Sequence, residues 1–465
     1  MKRQPNVLII LTDQQSRWTL SCYGGNEIHT PNIDSIGEEG AILTNFFTPS
    51  AVCTPSRGCF ITGRYPHQNG AYTNDVPLNE NEITLAHLLR NENYKTGYIG
   101  KWHLNGAHYP GWMTADTSMG FDDCEHMFNC GHYKNVVEQT NGKPILNFDI
   151  GSGGYMTDWI TDKSLDFIER NKEDKFFLMV SIPDPHTPYN VREPYDKMFD
   201  PKDVTIPDTF NEEKLPDWAE DDEWGREQLF SINMKDREEK FRHYKSQYLG
   251  EVKCIDDNVG RILEYLKEKN ILDDTIVIFT TDHGDYMGEH GLLYKNNLYE
   301  SVYRIPFLIR WPEKIRKETT VNEYITVVDF QQTILGLMNI PPSGREQGRN
   351  ASELIKGNKI VWNNEVYIHP NEVPRAGIIT EEYELAYVGR GFNKEPNHQY
   401  KEHILFDRIN DKQQTNNLYG KQEYESIISE LTNKIINHHK KLGTNTDVLP
   451  KVLKNESSQS IFDKI

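Results

Sequence analysis

Six short apolar runs recur along the chain: "NVLIIL", "ILTNFF", "TGYIG", "FFLMVSI", "TIVIFTT" and "IPFLIRW". They are rich in β-branched and aromatic residues and are separated by stretches of helical spacing, most clearly from Tyr244 to Leu266. A strand that reads as an unbroken apolar run is dry on both faces, and strands that alternate with helices build parallel sheets. The pattern therefore predicts an α/β fold with a large, mainly parallel central sheet sandwiched by helices.

A single core stops growing well short of 465 residues, so a second unit is expected. After Gly357 the runs change to strands with polar alternation ("EVYIHP", "AGIIT", "ELAYVGR", "HILFD"), followed by a helix carrying Tyr424, Ile428, Leu431 and Ile435. The expected division is a catalytic α/β domain over 1–360 and a smaller C-terminal subdomain over 361–465, an antiparallel sheet plus a helix. The acidic, proline-punctuated stretch from Pro201 to Glu239 reads as a solvated surface excursion.

The 51 Lys and Arg against 70 Asp and Glu leave a formal charge of -19, which argues against nucleic acid or an anionic membrane as a partner. An anionic substrate would need local cations. No stretch is long and apolar enough to span a bilayer. The opening "MKRQPNVLIILTDQQ" has a short apolar run and no small-residue cleavage site, so the expectation is a cytoplasmic chain, or a periplasmic one had a leader preceded it. Six cysteines (Cys22, Cys53, Cys59, Cys124, Cys130, Cys254) form no C-x-x-C pair and read as free thiols.

Five places concentrate reactive side chains at strand ends or in turns. Asp13 and Gln14 follow the first strand. Cys53 opens "CTPSRGCFITG", which places it near a helix N-terminus, where amides and dipole favour negative charge. "GYIGKWHL" sets Lys101 and His103 two residues apart beyond a strand. His186 lies between prolines in "SIPDPHTPY", and "TTDHGDYMGEHGLLYK" adds Asp282, His283 and Lys295. Each alone is an ordinary turn former, surface His or solvated Lys. Together, two acid-led dyads with recurring His and Lys resemble a divalent-cation site, which points to a metal-assisted hydrolase of an anionic ester.

Cys53-Thr54-Pro55-Ser56-Arg57, followed by "GCFITGR", resembles the C-x-P-S-R signature of the type I, formylglycine-dependent sulfatases of the alkaline-phosphatase-like superfamily. "PNVLIILTDQQ", "TGYIGKWHL", "DHGDYMGEHGLLYK" and "ILFDRINDKQQTNNL" look like further segments of that family, with Phe406 where Tyr is common. The resemblance implies oxidation of Cys53 to formylglycine by a maturation enzyme, whose hydrate attacks sulfur and then expels sulfate. It implies metal ligands at Asp13, Gln14, Cys53, Asp282 and His283. Arg57 and Lys101 would hold the hydrate, His103 would be the base, and His186 and Lys295 would bind sulfate near the leaving oxygen, with His186 as the acid.

Gln14 and His283 depart from the commonest calcium ligands, Asp and Asn, so Mg²⁺ or Mn²⁺ is less excluded, with Ca²⁺ the first choice. The rival reading is a phosphonate monoester hydrolase or phosphodiesterase of the same superfamily, which shares the Asp-Gln and Asp-His pairs but has Tyr and Thr in place of Lys101 and His103. Further rivals are an arylsulfatase for small aryl sulfates and an inactive sulfatase-like binding protein. The expected substrate is a carbohydrate sulfate ester. His108, Trp112, Arg192, His369, Arg375 and Arg390 are the candidates to contact it, because Arg and aromatic side chains suit a sugar with a second anionic group. Cys59 lies outside the motif and reads as helix packing.

Overall fold

The computed structural model describes residues 4–212, 214–220, 234–296, 298–371, 374–389, 403–450 and 453. At its centre is an eight-stranded sheet in the order Thr319–Val321, Ala41–Leu43, Phe307–Arg310, Thr275–Thr281, Asn6–Thr12, Phe176–Ile182, Lys95–Lys101 and Met127–Phe128. Every pairing is parallel except the two made by Phe307–Arg310. Val7, Ile9 and Leu11 point to one face and Leu8 and Ile10 to the other, and both faces are buried. Helices Cys53–Thr62, Leu85–Asn91 and Phe330–Met338 cover the first face. Pro31–Glu38, Met156–Asn171 and Met234–Glu268 cover the second. This is the α/β sandwich expected from the unbroken apolar runs, and Cys59 is buried in its first core.

Two runs divide. "ILTNFF" supplies Ala41–Leu43 to the main sheet and Phe46–Phe47 to a three-stranded one, because Thr44 and Asn45 turn away to bond Asn322. In "IPFLIRW", Pro306 has no N–H to give and separates Arg304–Ile305 from Phe307–Arg310.

A second, antiparallel sheet comprises Glu365–Ile368, Arg375–Thr380, Tyr383–Val388 and Ile404–Asp407. Ile378, Leu385 and Leu405 pack against Ile428, Leu431 and Ile435 of helix Glu425–Leu442. The opposite face is buried as well: Ile379, Ala386 and Phe406 pack with Tyr286, Tyr299 and Tyr303 of the larger unit. We propose the division at 360/361 on the ground that this sheet begins at Glu365.

The reading of 201–239 as a solvated excursion is corrected. Phe210, Leu215, Trp218 and Ala219 are buried, with the Trp218 ring 5.5 Å from Tyr299 and Phe210 4.8 Å from Phe241. The acidic residues between them masked an apolar inner side; 221–233 lie outside the described residues. Among the described residues, no helix is long and apolar enough to cross a membrane.

Candidate active site

Four neighbouring strands, Thr275–Thr281, Asn6–Thr12, Phe176–Ile182 and Lys95–Lys101, run parallel, so their C-terminal ends share one edge of the sheet. At that edge the chain places Asp282 and His283, Asp13 and Gln14, His186, and Lys101 and His103, in the crevice where open α/β sheets bind ligands. Helix Cys53–Thr62 starts there too, with Cys53 as its first residue. The Cys53 sulfur is buried, 3.1 Å from Lys295 Nζ, 3.2 Å from His283 Nε2 and 3.6 Å from Asp13 Oδ1.

Arg57 ties this edge together. Its Nε donates to Asp282 Oδ2 (2.8 Å), Nη2 to Asp13 Oδ2 (3.0 Å), and Nη1 to the Lys101 carbonyl (2.9 Å) and Ser181 Oγ (2.8 Å). These bonds use four of the five N–H groups of the guanidinium. Arg57 is first the counter-ion that lets two buried carboxylates converge. Lys101 Nζ is fully buried, 2.5 Å from both Asp13 Oδ2 and His132 Nε2. Lys295 Nζ donates to Gln14 Oε1 (2.8 Å) and His186 Nε2 (2.8 Å). Behind His186, Lys134 Nζ bridges Asp184 (2.6 Å) and Glu251 (2.8 Å) and reaches the His186 carbonyl (3.3 Å), which fixes the loop.

Gln14 and His103 both have left-handed backbone, φ 64° and 58°. For residues with a side chain this costs roughly 1–3 kcal/mol each and persists only where surroundings enforce it. Here the Gln14 N–H donates to Asp282 Oδ1 (3.1 Å) and the His103 N–H to the Asn129 carbonyl (2.7 Å).

Burial opposes ionisation of the Cys53 thiol, but Lys101, Lys295 and His283 outweigh it and hold its pKa well below the ordinary value. Burial and Cys53 likewise oppose the Asp13 carboxylate, and Lys101 and Arg57 prevail. Burial and the Lys101 charge disfavour a proton on His103, yet Asp75, Cys130 and Cys53 push its pKa up to about 10. Burial and Lys295 lower His186 to about 4. The ground for choosing His186 as the acid was an imidazole titrating near neutrality, and burial with the Lys295 charge moves it down from there. In this pair Lys295 carries the proton and His186 Nε2 accepts, while its Nδ1 lies 2.8 Å from the Thr187 carbonyl.

Asp13, Cys53, Asp282 and His283 offer ligand atoms that all lie within 4.8 Å of one another. His283 Nδ1 lies 3.0 Å from the Gly284 carbonyl, which keeps the ring proton on Nδ1 and leaves Nε2 as a ligand. Two carboxylates and one imidazole around position 53 fit a divalent cation, and the Gln14 amide oxygen faces Lys295 Nζ at 2.8 Å. A second group, Asp13, His132 and His186, already has the Lys101 ammonium between Asp13 and His132.

Sequence reasoning missed four residues here: Asp75, Cys130, His132 and Asp285. His132 stacks on His186, and it sits in an irregular loop that offers no strand-end signal. Asp285, two residues past His283 in "DHGD", bonds Gln14 and could have been found. The five described substrate candidates are not gathered at the cluster. His108 is exposed, and Trp112 is half-buried against Phe128. Arg192 is bound to Asp158 on the rim of a cleft of about 810 Å³ shared with Tyr189 and Tyr244, directly after His186. His369 is buried, stacked on Tyr65 and bonded to His438 Nε2 at 2.8 Å, so it is part of the packing. Arg375 is buried and donates to the carbonyl of Asn296, beside Lys295. Arg390 lies outside the described residues.

Residues 5–340 match the family model described as Sulfatase, and 288–441 match N-sulphoglucosamine sulphohydrolase, C-terminal. The chain is 28% identical to an N-acetylglucosamine-6-O-sulfatase of Bacteroides thetaiotaomicron, over 92% of this chain and 85% of that protein. It is 28% identical to an ulvan-active sulfatase of Formosa agariphila, over 95% and 82%. It superposes with a TM-score of 0.82, at 26% identity over 96% and 99% of the two chains, on a protein solved with its substrate D-glucosamine-2-N,6-O-disulfate. A phosphonate monoester hydrolase of Agrobacterium radiobacter, 19% identical over 94% and 96% with a TM-score of 0.72, shares the fold. With a family model matched over most of its length and a reactive cysteine set among cations at the sheet edge, this chain belongs to the sulfatase family.

Proposed function

We propose that this sulfatase releases sulfate from a sulfated saccharide, with Asp13, Gln14, residue 53, Asp282 and His283 holding a divalent cation, Ca²⁺ by preference. The observation that carries the reading is the buried Cys53, with Lys295 and His283 within 3.2 Å and Lys101 adding its charge. When bound, the cation polarises the sulfate and lowers the pKa of a hydroxyl at position 53. The oxidised and hydrated form of Cys53, produced by a maturation enzyme, would supply the paired hydroxyls of family chemistry.

The remaining steps belong to this chain's own side chains. Lys101 and Lys295 neutralise the anionic ester, which a chain of net charge -19 cannot attract at large. Lys295 Nζ, 2.8 Å from His186 Nε2, carries the proton for the leaving alcohol, and His186 orients it. His103, backed by Asp75 Oδ1 at 3.4 Å, exchanges the proton of the group at position 53. The cleft that begins just beyond His186, with Tyr189, Tyr244 and Arg192, accommodates the sugar. The saccharide reading is supported by the glucosamine relatives and that cleft.

A panel of sulfated mono- and disaccharides assayed for sulfate release, with Cys53→Ala as control, tests the reading. Release from at least one sugar ester, lost in the control, is expected. Release from aryl sulfates alone would overturn the saccharide assignment, and faster turnover of a phosphonate monoester would favour the rival chemistry.

A further inference from the structure

Gln14 faces two opposite charges. Its Nε2 donates to Asp285 Oδ2 at 2.6 Å, and its Oε1 accepts from Lys295 Nζ at 2.8 Å. Asp285 is fully buried, and all its other partners are donors as well: the Tyr189 hydroxyl on Oδ2 (2.8 Å), and the backbone N–H groups of Met287 (2.7 Å) and Tyr294 (3.1 Å) on Oδ1. Burial pushes its pKa up, and the four donors on its two oxygens oppose that and favour the ionised carboxylate. Its own backbone is held through Ser16: the Asp285 N–H donates to Ser16 Oγ (3.1 Å), which donates to the Asp285 carbonyl (2.6 Å).

Turning the amide by half a turn would set oxygen against carboxylate and NH₂ against ammonium. Both contacts would become repulsive, and the NH₂ then turned toward Lys295 has no lone pair to give a cation. A carboxylate at position 14 would meet the same conflict on its outer oxygen.

We propose that Asp285 is the positioning residue that fixes the Gln14 amide with its oxygen toward the cation, and that its charge demands a neutral amide at position 14. This rests on the reading of Gln14 as a cation ligand. Asp285 touches neither cation nor substrate; it acts by deciding which atom of Gln14 is presented, and so sets the ligand charge of the site one unit less negative than a carboxylate would.

The test is Ca²⁺ binding by calorimetry on the full chain carrying the encoded Cys53, with melting temperature in the absence of Ca²⁺ as the control for folding. Asp285→Asn is expected to weaken Ca²⁺ by roughly 10–100-fold, the usual loss for such outer partners. Gln14→Glu is expected to weaken it as well, because two carboxylates then meet at hydrogen-bond distance. The exchange Gln14→Glu/Asp285→Asn restores a donor–acceptor pair and is expected to recover at least the original affinity. Unchanged affinity in Asp285→Asn, or no recovery in the exchange, overturns the proposal. Should Asp285→Asn not fold, Tyr189→Phe removes only one donor from the same oxygen; about threefold weaker binding is expected, and no change overturns the proposal. Asp13→Asn separates the two levels. Ca²⁺ binding that survives it refutes the cation site itself, whereas loss there with full affinity in Asp285→Asn refutes only the role of Asp285.

Discussion

His132 and His186 lie face to face, their ring centroids 3.4 Å apart and their planes within 2° of parallel. His132 Nε2 also meets the Lys101 ammonium at 2.5 Å, so one residue joins the group on the Phe176–Ile182 strand end to the group on Lys95–Lys101. His132→Ala removes both contacts, and with them the 3.8 Å approach of His132 Nε2 to Asp13 Oδ2, while every proposed cation ligand stays in the chain. We expect kcat to fall by about 10²-fold, the scale of a small misplacement of reacting groups, with partial recovery in His132→Asn, which keeps an acceptor. Wild-type kcat in the alanine variant would refute this coupling.

Lys295 sits 3.1 Å from the Cys53 sulfur and is one of the charges that hold the thiol's pKa low against burial. In protein made without the maturation enzyme, thiolate absorbance followed against pH is expected to show Cys53 ionised below its ordinary value. Lys295→Met is expected to move the midpoint up by at least about one unit. A midpoint that does not move would mean that Lys101 and His283 suffice.

In the proposed cation site His283 would supply a nitrogen where hard calcium prefers oxygen. His283→Asn substitutes an amide oxygen and is expected to raise the Ca²⁺ over Mn²⁺ preference by about tenfold. Competition between the two ions, read by calorimetry on both proteins, measures it.

His439, buried on the helix Glu425–Leu442, is held near 4 by burial and by His67, with His369 and His438 beside it. Its folded pKa lies below the unfolded one, so its contribution is complete above about pH 6.5 and is lost as pH falls towards 4. The lowering to about 4 corresponds to about 3 kcal/mol. The melting temperature is expected to drop across that window and the slope to flatten in His439→Gln; equal slopes would remove His439 from the account.

The apolar runs made the main sheet legible because both faces of a parallel sheet are dry, and the strand-end residues Asp13, Lys101, His186 and Asp282 followed from its topology. His132 was not legible: its importance comes from a stack between residues 54 positions apart, a contact no local pattern records. His369 misled for the opposite reason. A histidine near a strand end looks reactive in sequence, and only the packing of Tyr65 and His438 around it shows otherwise. The stretch around Trp218 misled because charge density hides a few well-placed apolar residues.

The four adjacent strand ends act as a ruler. Neighbouring strands lie about 4.8 Å apart whatever their side chains, so the gap between Asp282 and Asp13 is one division and that between Asp13 and Lys101 is two. The first suits an ion, and across the second the Lys101 ammonium reaches back to Asp13 Oδ2 at 2.5 Å. Because backbone hydrogen bonds set these divisions, exchanging one apolar residue for another inside a strand leaves the spacing of the strand ends as it is.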